Sequence, residues 1–182
     1  PVVHAATHGW LNASSPLFSR LDFARRRGQA ASPEDDGRLD VHEVLGLSSR
    51  AQLVFLSGCE TGVGPAGSTW FDRGEDVATL SLAFLQAGAS NVIATLWRVE
   101  DEAAAAFAAR FYAALADGMR SRASYSLADA VAGAQRTLRE DPRYRAPYFW
   151  AAYALNGSGV WHHGPGERAR SGAGFPGSSV PK

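Results

Sequence analysis

The chain holds 182 residues, of which 46% are hydrophobic and 20% charged, the composition of a globular protein with one core. Eighteen basic residues balance eighteen acidic ones, so no net field draws the chain to nucleic acid or to a membrane surface, and neither is expected as a partner. A single cysteine excludes an intramolecular disulfide and fits a reducing cytoplasm, and no apolar run reaches the roughly 18 residues of a membrane helix.

The chain opens in the apolar run Pro1-Val2-Val3, which reads as a cut through an element and suggests a fragment. Val2 to Thr7 is short and rich in β-branched residues, and His8-Gly9 closes it. This predicts a buried strand followed by a turn, with His8 at the strand's carboxyl end. Ala24 to Arg38 carries Arg25-Arg26-Arg27 and then Glu34-Asp35-Asp36, an exposed loop with segregated charge. Asp40 is placed to cap a short helix through Leu47, with Val41, Val44 and Leu45 on its buried stripe.

Leu53 to Ser57 is apolar almost throughout and ends in Gly58-Cys59-Glu60-Thr61-Gly62. A strand covered on both faces has this pattern, and it brings Cys59 just past a strand end. Val77, Leu80 and Phe84 then mark a helix that Gly88 stops, and Asn91 to Trp97 gives the next strand. Strand, crossover helix and strand in succession require a parallel sheet. Asp101 is placed to cap a helix carrying Phe107, Phe111 and Leu115, with Gly118 as its end. A second helix begins near Ser126, carries Leu127, Val131, Ala134 and Leu138, and stops at Asp141-Pro142. Phe149 to Leu155 suggests a further strand. The last 25 residues, 158–182, are rich in Gly, Pro and Ser without periodicity, and a disordered tail is expected there.

Reactive groups gather outside the carboxyl ends of strands in parallel sheets, and both His8 and Cys59 fall on that edge. A nucleophilic thiol needs a neighbouring imidazole, because an unperturbed cysteine is mostly protonated at neutral pH. The developing oxyanion needs donors, which backbone N–H groups in tight glycine-bearing turns supply; Gly9 and Cys59 are the candidates. His4 shares a face with His8, so the two imidazoles either pack structurally or form part of a metal pair, for which no third ligand stands out. Trp97, at its strand end, either walls a substrate pocket or packs in the core.

Four ordered blocks carry a family resemblance: His4-Ala5-Ala6-Thr7-His8-Gly9, Leu56-Ser57-Gly58-Cys59-Glu60-Thr61-Gly62, Leu96-Trp97-Arg98-Val99-Glu100-Asp101 and Phe149-Trp150-Ala151-Ala152-Tyr153. Together they resemble the signature blocks of CHAT domains, which are similar to caspases and separases in fold and commonly follow tetratricopeptide repeats. The spacing from His8 to Cys59 also resembles that of caspases, whose histidine lies about 50 residues before the cysteine. The resemblance covers residues 1–157. It implies an α/β, caspase-like three-layer sandwich with a mostly parallel sheet whose first strands precede Pro1. It further implies a cysteine endopeptidase with His8 and Cys59 as dyad, Gly9 and Cys59 amides as oxyanion donors, a protein substrate and no cofactor. Repeat or sensor domains upstream would be its partners. The block before Phe149 usually reads His-Pro-Tyr-Tyr in the family; here it is Ala146-Pro147-Tyr148-Phe149, so any role of that histidine is absent. The alternative is a catalytically inactive caspase-like interaction module attached to such domains.

Overall fold

The computed structural model describes residues 1–10, 12, 15–25, 36–57, 75–121 and 124–162, with the backbone alone at 75–79, 121 and 124. The first half of the described chain forms β1 (Val2–Ala6), β2 (His8–Trp10), β3 (Arg20–Asp22), β4 (Arg38–Asp40), α1 (Val41–Gly46), β5 (Leu53–Ser57) and α2 (Glu75–Gln86). The second half adds β6 (Asn91–Thr95), α3 (Asp101–Ser121), β7 (Ser124–Ser126), α4 (Leu127–Glu140), α5 (Pro147–Trp150), β8 (Tyr153–Gly157) and β9 (Val160–His162).

A four-stranded sheet in the order β1-β5-β6-β8 is the centre of the fold. β1, β5 and β6 run parallel, as their apolar runs and the α2 crossover require, and β8 closes the sheet antiparallel to β6. Every residue of β5 and β6 is buried, so successive side chains feed two separate cores. Leu53, Phe55 and Ile93 pack with Phe107, Phe111, Leu127 and Leu138 of α3 and α4. Val54, Leu56, Val92 and Ala94 pack with Val41 and Val44 of α1 and with Leu80 and Phe84 of α2. The result is helix, sheet and helix in three layers. β1 is not the buried strand expected from its sequence: it forms one edge of the sheet, only Ala5 of its residues is buried, and Val2 and Val3 are exposed at 41% and 47% because no further strand covers that edge among the described residues.

The helix limits follow local chemistry. In α1 the Glu43 carboxylate accepts the Asp40 amide at 2.7 Å, the return arm of a capping box. Val41 and Val44 of this helix are buried as expected, whereas Leu45 faces out. Gly88 has φ of +104°, and a Cβ there would stand 2.6 Å from the Ser49 carbonyl oxygen; glycine is therefore demanded where α2 turns into β6. The Ser126 hydroxyl accepts the Asp129 amide at 3.1 Å to start α4.

Four further expectations need correction. His8-Gly9 is not a turn: both residues lie in β2, which pairs antiparallel with β3 and, through it, with β4 to make a second small sheet. Gly118 does not stop α3. It lies buried inside the helix because the Tyr125 ring occupies the space where its side chain would be, with a ring carbon 2.2 Å from the Cβ position. Phe149 to Leu155 is not one strand, since Pro147 starts the single-turn α5 and β8 begins only at Tyr153.

The last correction concerns the tail. Val160–His162 form β9, which pairs with β7 and buries Trp161 to 6% exposure, so order extends past 158. The Gln52 side chain acts as a further rung: its amide donates to the His162 carbonyl and its carbonyl accepts the His162 N–H, each at 2.9 Å. Residues 163–182 lie outside the described residues. Trp161→Ala is expected to destabilise the fold by about 3 kcal/mol and to lower Tm by about 6–12 °C. Thermal unfolding followed by circular dichroism measures it, and an unchanged Tm would mean that β9 contributes nothing.

Candidate functional site

Thr7 sets the direction of the chain as it leaves β1. Its N–H donates to the Ser57 carbonyl at 3.1 Å, extending the β1–β5 ladder by one rung, and its hydroxyl donates to the Asp22 carbonyl. The two bonds tie the carboxyl end of the parallel sheet to the start of the small antiparallel one. His8 follows directly, opposite Asp22 in the β2–β3 register. The Asp22 carboxylate is itself held by Arg20 Nε at 2.9 Å, and the Arg20 guanidinium lies over the Trp10 ring, 4.5 Å from its centroid.

Beside His8 is a cleft of about 580 Å³, within the range of ligand sites. His4, Thr7, His8 and Ser57 line its sheet side. Its other wall is the start of α3 with the segment before it, where Ala104, Ala105 and Ala108 present only methyl groups. The alternation in β5 that sends Phe55 toward α3 sends Ser57 the same way. His4 and His8 were expected on one face of a single strand; they lie on β1 and β2 of different sheets, and both border the cleft. His4 stacks on Phe55 with ring centroids 4.7 Å apart and planes 9° from parallel. Partial burial holds its pKa below the ordinary imidazole value, because the charged ring would lose water. Tyr112 tilts against the same ring at 5.6 Å, and burial pushes its phenol up to about 12.

Of the residues singled out from sequence, His8 and Gly9 stand on β2 at this cleft's end of the sheet, Gly9 buried and paired with Leu21. Cys59 and its neighbours Gly58 to Gly62 lie outside the described residues. Trp97 is half-buried against the α3/α4 core, and its indole N–H donates to the Tyr148 carbonyl at 2.8 Å; the adjoining Arg98 and Val99 line the cleft instead. Sequence reasoning did not single out Thr7 or Asp22. Among the described residues no group of three or more His, Cys, Asp or Glu side chains is arranged to hold a metal ion, and no helix is long and apolar enough to cross a membrane.

A mostly parallel sheet between two helical layers, with a histidine just past the end of its edge strand, defines an α/β three-layer fold. The profile of the CHAT domain matches residues 1–158, and the chain belongs to that family, a caspase-like peptidase family. It is also similar to tetratricopeptide repeat protein 28 of Mus musculus, 30% identical over 127 residues, and to its Homo sapiens counterpart, 32% identical over 127 residues. Each alignment covers 70% of this chain and 5% of the relative, so the chain corresponds to a small part of those proteins.

Proposed function

We propose that the chain carries a cysteine endopeptidase centre in which Cys59 is the nucleophile and His8 its base. The observation that carries this reading is the cleft that His8 and Ser57 line together at the ends of neighbouring strands. Cys59 follows Ser57 by two residues, and two residues of chain span at most about 7 Å. In the proposed reaction His8 takes the thiol proton, and the thiolate attacks a peptide carbonyl carbon to form the C–S bond. The oxyanion is met by the amides of Gly9 and Cys59. Collapse breaks the C–N bond, and the imidazolium returns its proton to the departing amine. Water, deprotonated by His8, then cleaves the thioester to release the acid and restore the thiol. No cofactor enters these steps.

The substrate is a protein, and the repeat-bearing relatives support repeat modules as the companions of this domain. A peptidyl chloromethyl ketone tests the reading: the thiolate displaces chloride and keeps the peptide as a thioether. Mass spectrometry is expected to find the adduct on Cys59 and to find labelling at least about 100-fold slower in His8→Ala, the scale of lost base catalysis. Equal labelling in both proteins would favour the alternative, an inactive caspase-like interaction module.

A further inference from the structure

The cleft beside His8 has a chemical character of its own. One long wall is alanine: Ala104 and Ala105 lie in the first turns of α3, and Ala108 one turn further on. Residues this small leave depth where leucine or phenylalanine would fill it. Opposite them His4 offers a ring that stacks on Phe55, and its lowered pKa favours the uncharged form near neutral pH. The fixed charges among the described lining residues are one of each sign, Arg98 and Asp101. An acidic ligand side chain attracted by Arg98 would meet Asp101, a basic one attracted by Asp101 would meet Arg98, and either would exchange water for methyl groups. Ser57, only 6% exposed, adds a neutral hydroxyl beside the sheet end.

We propose that this cleft is the specificity pocket of the peptidase and that it receives a large uncharged side chain, of the methionine, leucine or phenylalanine kind, from the residue whose carbonyl is attacked. The inference rests on the peptidase reading above and names the substrate class for that site. Ala105 is its controlling residue, because it lines the cleft without belonging to the buried core. Leucine is a good helix former at such a position, so Ala105→Leu shallows the pocket while α3 persists.

The test uses the full chain and a set of peptidyl chloromethyl ketones that differ only in the residue beside the ketone: Met, Phe, Ala, Arg or Asp. The second-order rate of Cys59 alkylation is the readout. Met or Phe is expected to react at least about 10-fold faster than Ala, Arg or Asp, the minimum that one or two methylenes in an apolar pocket discriminate. Ala105→Leu is expected to abolish that advantage, so that on this variant the Met and Phe probes react within about twofold of the Ala probe. Ala105→Glu, also compatible with a helix, is expected to raise the Arg probe relative to Met. Faster reaction of Arg or Asp in the unaltered chain, a flat response across the set, or a preference untouched by both substitutions would each overturn the assignment. If no probe distinguishes the chain from His8→Ala, the peptidase reading itself has failed, and the pocket's role falls with it.

Discussion

Cys59→Ala and His8→Ala are each expected to lower kcat/KM for peptide cleavage by at least about 10⁴-fold while leaving the circular dichroism spectrum intact. The two groups are proposed to act as one unit, since the thiol is weak until the imidazole takes its proton and the imidazole has nothing to activate without the thiol. The double variant is therefore expected to fall little below either single one. A purely structural role for His8 predicts something different: loss of activity in step with loss of Tm. His8 is exposed, at the start of a three-residue strand, and the backbone pairs of β2 with β3 do not need its ring. Wild-type turnover by a folded His8→Ala variant would remove it from the mechanism.

What the sequence discloses divides by the range of the interaction responsible. β5 and β6 were legible because a strand buried on both faces must be apolar throughout, and Leu53–Ser57 and Asn91–Thr95 come close to meeting that demand; β1 was legible from its β-branched residues although it proves an exposed edge strand. The stripe of Phe107, Phe111 and Leu115 and the helix start near Ser126 were also legible, each being set within one or two helical turns. The small sheet of β2, β3 and β4 was not. Its three-residue strands are too short to show alternation, and with Arg20 and Asp22 on β3 and Arg38 and Asp40 on β4 neither strand carries an apolar run. Gly118 misled for a related reason: a glycine within a helix looks like a terminus until Tyr125, seven residues on, is seen folded over it. At the site, Ser57 could be assigned to a strand end from sequence, but that His8 opens a second strand, β2, could not, and the bonds from Thr7 to Ser57 and Asp22 join it to residues about 50 and 15 positions away.

Asn91 is the long-range residue on which stability is expected to depend most. It opens β6, is fully buried, and its side chain makes four hydrogen bonds. The amide nitrogen donates to the carbonyls of Gln52 and Val160 at 2.9 and 3.1 Å. The amide oxygen accepts from the Gly159 N–H at 2.7 Å and from the Ser158 hydroxyl at 3.2 Å. One side chain thereby fastens the β8–β9 connection to the segment that leads into β5. Asn91→Ala leaves two carbonyls, an amide and a hydroxyl without this partner, and each buried group so stranded costs about 1–3 kcal/mol. Some of them regain water, so the expected loss is about 3–5 kcal/mol in total, a fall in Tm of about 6–20 °C. Asn91→Asp separates the two halves of the network. The carboxylate keeps both acceptor bonds but loses both donors and turns negative charge toward two carbonyl oxygens, which raises its pKa above that of the unfolded chain. With a raised folded pKa, the native state binds the proton more tightly, so stability relative to wild type is greatest at low pH and falls as pH rises through that value. The deficit of Asn91→Asp is thus expected to shrink in acid, where protonation restores one donor, while that of Asn91→Ala stays constant. Trp161 lies on the strand that Asn91 helps to hold, so Asn91→Ala and Trp161→Ala combined are expected to cost less than the sum of the two. Additive losses, or equal pH dependence in the two Asn91 variants, would show that Asn91 does not hold β9 in place.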